Sequence, residues 1–317
     1  MQGDGGRMQN AAQLELLLGA ENVNDFFEKH WNKRALYIPG NPSKFEGLFS
    51  RAAFETAAQA CTVLKVGYTD ERGWPAEKQI QTHEISEMLA SGKTVCAGGV
   101  ETGNPELAAF LRTFASQFVG MGKFYFNSYL SPDGAGFGLH LDDHPVWILQ
   151  IDGSKRWWFS SEPGLDAILT TVSFPRGVDV LKLPWATVQR PDESTFNEVV
   201  LRPGDALYMP KGTWHRAAGV GCSLALTLAE LCATPVDLLQ FTLGPRLSAA
   251  LPFRDPLPVF WNCTLGGGMP PELQQRFTDM LKRLQAMVGS LSAADLYEVW
   301  QRSRVVEAET PKPSMVS

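Results

Sequence analysis

No apolar run in this chain approaches the ~20 residues a helix needs to span a bilayer, so a membrane-spanning helix is not expected. The five cysteines are scattered, odd in number and form no Cys-x-x-Cys pair. That pattern argues against a disulfide framework and a structural zinc site, and predicts reduced thiols in a cytoplasmic setting. Basic residues are in the minority, 28 Lys and Arg against 34 Asp and Glu, for a net charge of −6. The balance disfavours direct nucleic-acid binding and is compatible with attraction to basic proteins or peptides. Residues 236–317 hold eight basic and eight acidic side chains, so they carry no basic footprint either. The opening Met1-Gln2-Gly3-Asp4-Gly5-Gly6 lacks the basic and apolar regions of a signal peptide, and residues 1–9 read as a disordered start. No internal repeat or low-complexity tract is evident. At 317 residues and 44% hydrophobic content, the chain can bury one full core and a smaller second one.

Histidine is scarce too, five in all, which makes the position of each informative. Gly138-Leu139-His140-Leu141-Asp142 places an imidazole and a carboxylate two residues apart, on one side of a strand. Far downstream, Gly204-Asp205-Ala206-Leu207-Tyr208-Met209-Pro210-Lys211-Gly212-Thr213-Trp214-His215 uses Gly and Pro as a turn between short strands. It delivers a second histidine at the start of the next strand. Two imidazoles and a carboxylate are the set that holds Fe(II) on one face and leaves the opposite positions open for oxygen chemistry. The downstream run also resembles the second sequence motif of the cupin barrels. His144 competes, because it continues the alternation of His140 and Asp142. Pro145 argues against it by restricting His144 and removing a ladder donor. His30 and His83 lie in charged, helix-like surroundings and read as surface residues.

Asn127-Ser128-Tyr129-Leu130-Ser131-Pro132, then Gly136 to Asp143, then Leu149-Gln150-Ile151-Asp152-Gly153-Ser154-Lys155-Arg156-Trp157 closely resemble the Jumonji-C oxygenases of the ribosomal-oxygenase type. Phe26 to Ile38 looks like the opening of that family's catalytic domain. The resemblance covers residues 20 to 232 and continues more loosely beyond. It implies a mostly β fold with α elements: a double-stranded β-helix, the cupin or jelly-roll core of the JmjC domain, with flanking helices. It also implies Fe(II) as the metal, 2-oxoglutarate and O2 as co-substrates, and hydroxylation of a protein side chain as the reaction. Carried over by residue, it makes His140, Asp142 and His215 the iron ligands and Lys155 the partner of the co-substrate's distal carboxylate.

Chemistry supports Lys155 independently. An ammonium inside an apolar barrel is costly unless an anion meets it, and Trp157 and Phe159 share its strand parity. The bland alternative is a surface lysine in a Gly153-Ser154-Lys155-Arg156 hairpin turn. Tyr129 and Asn127 share one face of their strand, and the resemblance assigns that face to the co-substrate. In the last strand Ser223, Ala225, Thr227 and Ala229 alternate with Leu224, Leu226 and Leu228. The small face should look into the barrel. Relatives often carry a serine near Ala229, this chain lacks it, and Thr227 is the available substitute from the same face.

The remaining text organises around this domain, expected over residues 10–234. Residues 9 to 35 read as two helical pieces, with Gly19 ending the first and Asn24 capping the second. Strand-like runs follow at Ala35–Ile38 and Thr62–Tyr68. Asn104 caps a helix with Pro105 at its first position, Leu107, Phe110, Leu111, Phe114 and Phe118 form its stripe, and Gly120 closes it. An insertion from Glu162 to Glu193 has four prolines and no clear period. It is either a substrate lid or a passive loop. Residues 235–306 read as helices: Thr234, Pro235 and Asp237 start one, Pro271 begins an amphipathic second, and Ser292 with Asp295 boxes the third. They form either a plain helical subdomain or, as the resemblance implies, a homodimerisation module. Residues 307–317 read as a disordered tail.

The expected activity is hydroxylation of a protein or peptide side chain, with the substrate passing an opening lined by aromatics such as Trp147 or Trp158 and by the insertion. Three other readings stand: N-methyl-lysine demethylation, hydroxylation of a biosynthetic peptide or small molecule, and a non-catalytic cupin-like binding protein. The intact set of His140, Asp142, Lys155 and His215 argues against the last.

Overall fold

The computed structural model describes residues 12–71, 75–118, 122–165, 170–257 and 268–302. The expected disordered ends and Gly120 lie outside the described residues. From Ala12 to Leu231, Gly122 excepted, these residues form one compact unit, and those from Cys232 to Arg302 form a second.

The first unit is built on β1 (Leu36–Ile38), β2 (Val63–Thr69), β3 (Pro75–Gln79), β4 (Thr94–Gly98), β5 (Gly122–Ser131), β6 (His140–Leu141) and β7 (Val146–Phe159). It continues with β8 (Val172–Ser173), β9 (Val180–Lys182), β10 (Thr187–Gln189), β11 (Asn197–Leu201), β12 (Ala206–Met209) and β13 (His215–Cys232). The strand order is β1-β12-β7-β13-β5-β4-β2-β3, with β11 on β7, β6 on β13 and β8 on β6, and β1–β12, β12–β7, β7–β13, β5–β4, β4–β2 and β2–β3 all pair antiparallel. This is the double-stranded β-helix. Its two long strands serve both layers: the first part of β7 pairs with β12 and the last part with β11, while β13 follows β7 along both. Gly153 sits at the bend of β7 with φ +62°, where a Cβ would lie 1.9 Å from the Cys222 carbonyl oxygen. Only glycine allows that turn without displacing backbone.

Strand alternation decides what each layer contains. On β13, Leu224, Leu226 and Leu228 are fully buried and join one apolar cluster, while Ala225 and Ala229 join another with Val146 and Ile148 of β7. Each buried leucine contributes about 1.5–3 kcal/mol relative to exposure. On β5, Phe124, Phe126 and Leu130 turn one way, and Tyr125, Asn127 and Tyr129 turn the other, toward a cavity. The helix Pro105–Ser116 packs on the greasy side. Asn104 Oδ1 accepts from the Leu107 N–H, and Phe110 and Phe114 meet Phe126 and Phe124 with centroids 5.9 and 5.3 Å apart.

Two details differ from expectation. Asn24 lies inside the helix Val23–Lys29 instead of capping it, because the 3-10 turn Ala20–Asn22 runs directly into that helix. The insertion is not featureless: it supplies β8 and the β9–β10 hairpin, and Val172, Phe174 and Val188 bury against Leu139, Leu141 and Trp214.

The second unit contains helices at Pro235–Ala249, Leu251–Arg254, Pro271–Gly289 and Ala293–Arg302. Thr234 with Asp237 and Ser292 with Asp295 close capping boxes, each hydroxyl accepting from the aspartate N–H while the carboxylate accepts in return. Arg246 and Asp295 join the first helix to the last at 2.8 Å. The 19-residue helix Pro271–Gly289 buries none of its side chains, although Leu273, Phe277, Met280, Leu284 and Val288 form its apolar stripe. No helix among the described residues is long and apolar enough to cross a membrane.

Candidate metal centre

His140 opens β6, which lies between β13 and β8 with His140 opposite both His215 and Ser173. The turn that delivers His215 is closed by Thr213, whose N–H and hydroxyl both donate to the Pro210 carbonyl. Gly212 adopts φ +83° and donates its N–H to the Asp142 carbonyl at 2.9 Å. That single bond ties the two distant motifs together. As a result one ligand atom each from His140, Asp142 and His215 lies within 4.8 Å of the others, with His215 Nε2 3.7 Å from Asp142 Oδ2.

The protonation states suit a metal. His140 Nδ1 donates to the Gly138 carbonyl at 2.7 Å and His215 Nδ1 to the Thr213 carbonyl at 2.9 Å, which orients both rings and leaves Nε2 as the nitrogen of each for a metal. Burial, reinforced by His140, drives the His215 pKa down to about 4 and keeps its imidazole neutral. Burial pushes the Asp142 carboxyl up, but His140, His215 and His144 outweigh it and hold it below the usual value. A neutral imidazole at His215 and an ionised carboxylate at Asp142 are the forms in which those side chains bind a divalent cation.

His144 stays outside this triad. Its Nδ1 bonds Asp143 Oδ1 at 2.7 Å. Burial lowers its pKa, and the bond to Asp143 together with the charges of Asp142 and Asp143 outweighs this, for a net rise. His83 is exposed, whereas His30 is half-buried and stacks on Phe26, so the surface assignment of His30 is corrected: its neighbours on that helix place the ring against the aromatic core.

A cavity of about 420 Å³ opens beside the triad and is bordered by all three of its side chains together with Lys155, Tyr129, Asn127 and Thr227. Lys155 is only 2% exposed, as strand parity required, and lies 5.6 Å from the ring centroids of Tyr129 and Trp157. Among the described residues no carboxylate comes within ion-pair distance of it; its hydrogen-bond partner is Ser131 Oγ at 3.1 Å. Burial lowers its pKa to about 8. A buried, unpaired ammonium facing a polar cavity fits an anionic ligand. Ala229 packs in the apolar cluster with Val146 and Ile148, while Thr227 reaches the cavity.

The aromatic opening is a correction. Trp147 is fully buried against Phe26, Phe114 and Tyr208, because its parity on β7 is opposite to that of Ile148, and it is not among the residues bordering this cavity. Trp158 lies on the outer side, under the Arg216 guanidinium at 3.8 Å and donating to Glu198. The aromatics at the cavity are Tyr68, Tyr125, Tyr129, Phe137 and Trp157. Sequence reasoning also missed Thr171 of the insertion, whose hydroxyl donates to Asp142 Oδ1 at 3.4 Å, and Lys65 and Glu77, which pair at 2.7 Å beside the cavity. No motif marks these three. Ser131 was reachable, since it continues the parity of Asn127 and Tyr129.

A double-stranded β-helix with this triad at one end of its barrel is the architecture of metal-dependent cupin-type oxygenases. Residues 110–236 match the JmjC domain family. It is 27% identical over 237 residues to the bifunctional lysine-specific demethylase and histidyl-hydroxylase NO66 of Aedes aegypti, covering 68% of this chain and 35% of that protein. It is 24% identical over 303 residues to ribosomal oxygenase 1 of Gallus gallus, covering 90% and 48%. The chain thus spans half or less of the length of these curated relatives. Among solved structures, Escherichia coli ycfD superposes with a TM-score of 0.58 at 18% identity, over 88% of this chain and 70% of that one. The same ribosomal oxygenase in complex with cobalt and 2-oxoglutarate gives 0.54 at 19% identity, over 83% and 66%.

Proposed function

We propose that this chain is an Fe(II)- and 2-oxoglutarate-dependent oxygenase that hydroxylates a side chain of a protein or peptide. The observation that carries the reading is the pairing in one cavity of the His140, Asp142, His215 triad with a buried lysine that has no carboxylate within ion-pair distance among the described residues. His140, Asp142 and His215 hold the iron, and bound iron supplies oxygen activation coupled to decarboxylation of the 2-oxo acid. Lys155 holds the distal carboxylate of 2-oxoglutarate as a charge-assisted partner, which leaves the keto-acid end toward the triad. Tyr129 and Asn127 on β5 and Thr227 on β13 complete the co-substrate wall. Thr171 steadies Asp142 by donating to its carboxylate. The reading also accords with the names of the relatives, which include a histidyl-hydroxylase and a ribosomal oxygenase.

The organisation that goes with this reading is a JmjC domain over residues 10–234 followed by a helical region, 235–306, that forms a homodimer. Exposed Val236, Leu239, Phe241, Leu281 and Val288 support that role, since apolar area of this kind is the usual material of obligate interfaces. Cytoplasmic placement fits the scattered thiols, of which Cys61, Cys96 and Cys222 are free.

The test is incubation of the purified protein with Fe(II) and 2-oxoglutarate under air, with ribosomal-protein peptides, followed by mass spectrometry. The expected result is succinate formation and gain of one oxygen on a specific side chain, absent in His140→Ala. Loss of a methyl group with formaldehyde release makes it a demethylase. Oxidation confined to small metabolites removes the protein-hydroxylase reading, and no turnover with any acceptor leaves a binding protein.

A further inference from the structure

We infer that Ser131, itself held by Thr94, is the positioning residue that aims the Lys155 ammonium at the distal carboxylate of the co-substrate. The inference rests on the reading of the cavity as a 2-oxoglutarate pocket. Thr94 begins β4 and Ser131 ends β5, two strands that pair through Val95 and Leu130. Both side chains are fully buried. Thr94 Oγ1 donates to Ser131 Oγ at 3.0 Å, and Lys155 Nζ donates to the same oxygen at 3.1 Å. The chain Thr94–Ser131–Lys155 therefore runs from behind the cavity wall to its surface: Lys155 borders the cavity, and neither hydroxyl is among the residues that do.

The arrangement has a specific physical consequence. An ammonium has three N–H donors on a flexible four-carbon stem, and with no carboxylate within ion-pair distance among the described residues that stem would be free to sweep between rotamers. Ser131 engages one N–H, and the rings of Tyr129 and Trp157 flank the nitrogen at 5.6 Å. The remaining N–H donors are left for an incoming anion, so the cation is ordered before the ligand arrives, which raises affinity by lowering the entropy lost on binding. Thr94 matters because a lone serine hydroxyl rotates; its donation to Ser131 Oγ fixes which oxygen lone pair meets the lysine. Ser131 thus acts through Lys155 and need not touch the co-substrate.

The experiment is anaerobic calorimetry of the Mn(II)-loaded protein with two ligands: 2-oxoglutarate, and 2-oxopentanoate, which has the keto-acid end but no distal carboxylate. Ser131→Ala should weaken 2-oxoglutarate binding roughly tenfold, the scale of one hydrogen bond to a charged group. Thr94→Val should weaken it less and Thr94→Ser should match wild type. Mn(II) affinity and 2-oxopentanoate affinity should stay unchanged in all three. The inference is overturned if Ser131→Ala and Thr94→Val bind 2-oxoglutarate as wild type does while Lys155→Ala does not, or if Ser131→Ala weakens both ligands equally, which is the signature of a purely structural role. If Lys155→Ala itself leaves 2-oxoglutarate binding intact, the pocket reading fails and takes this inference with it.

Discussion

Strand β7 contributes to two regions built on opposite principles. Trp147 and Leu149 turn into a layer of stacked rings, where Phe26, Phe114 and Tyr208 surround Trp147, Trp31 stacks on Tyr208, and the Tyr208 hydroxyl accepts from the Asn32 N–H. Ile148, Trp157 and, at the far end, Lys155 turn into the barrel, where polar side chains and hydroxyls recur and a cavity stays open. The ring layer is stabilised by area and shape. The barrel interior gives up burial to keep a charge and three ligand side chains accessible. The comparison teaches that stability and chemistry are segregated by strand parity, so each can be damaged without the other.

Replacing any ligand should produce the largest loss. His140→Ala, Asp142→Ala and His215→Ala should each weaken metal retention by more than about a hundredfold, since loss of a mere outer partner of a ligand already costs roughly 10–100-fold. Fe(II) or Co(II) content after dialysis reads this, and thermal unfolding of the metal-free proteins should be nearly unchanged. The mirror experiment is Trp147→Ala, expected to cost about 3–5 kcal/mol in urea unfolding with metal affinity intact at low temperature. If Trp147→Ala abolished metal binding in a folded protein, the segregation would not hold.

Lys155→Ala should weaken 2-oxoglutarate binding roughly ten- to a hundredfold with little change in metal affinity. The pH profile sharpens this. Lys155 carries its charge below about 8 and loses it above. The distal carboxylate binds the ammonium, so affinity is full below that value and falls as pH rises through it, by up to about tenfold per unit. Cys96 on β4, pushed up to about 11 by burial, and Tyr129 on β5, raised well above its usual value by burial, both face Lys155 and stay neutral across that window. A 2-oxoglutarate affinity flat from pH 7 to 9 would assign the clamp to another group. His144→Ala should show the smallest effect of the series, retaining metal at the wild-type level.

Much of this site was legible because its signals are periodic. A spacing of two puts His140 beside Asp142, the Pro210 to Gly212 turn announces His215, and parity places Lys155 with Trp157 inside the barrel. Helix ends written as Asn104-Pro105, Thr234 with Asp237 and Ser292 with Asp295 were equally readable, since each cap is a local hydrogen bond. What parity cannot say is which of two faces leads to the cavity. Trp147 was assigned to the opening and lies in the ring layer instead, because both faces of β7 are buried. Asn24 illustrates the other limit: a capping residue is uninformative when a 3-10 turn already feeds the helix. Thr171, Lys65 and Glu77 were invisible because they reach the cavity from an insertion and a hairpin brought there only by tertiary pairing.

The most direct test of the central claim is the joint binding of Fe(II) and 2-oxoglutarate under anaerobic conditions, followed by visible charge-transfer absorbance and calorimetry on wild type, His215→Ala, His144→Ala and Lys155→Ala. The account predicts one metal and one 2-oxoglutarate per chain for wild type and His144→Ala, retained metal with weakened 2-oxoglutarate for Lys155→Ala, and neither ligand for His215→Ala. Metal binding that survives in His215→Ala and disappears in His144→Ala, or 2-oxoglutarate binding indifferent to Lys155, would contradict it.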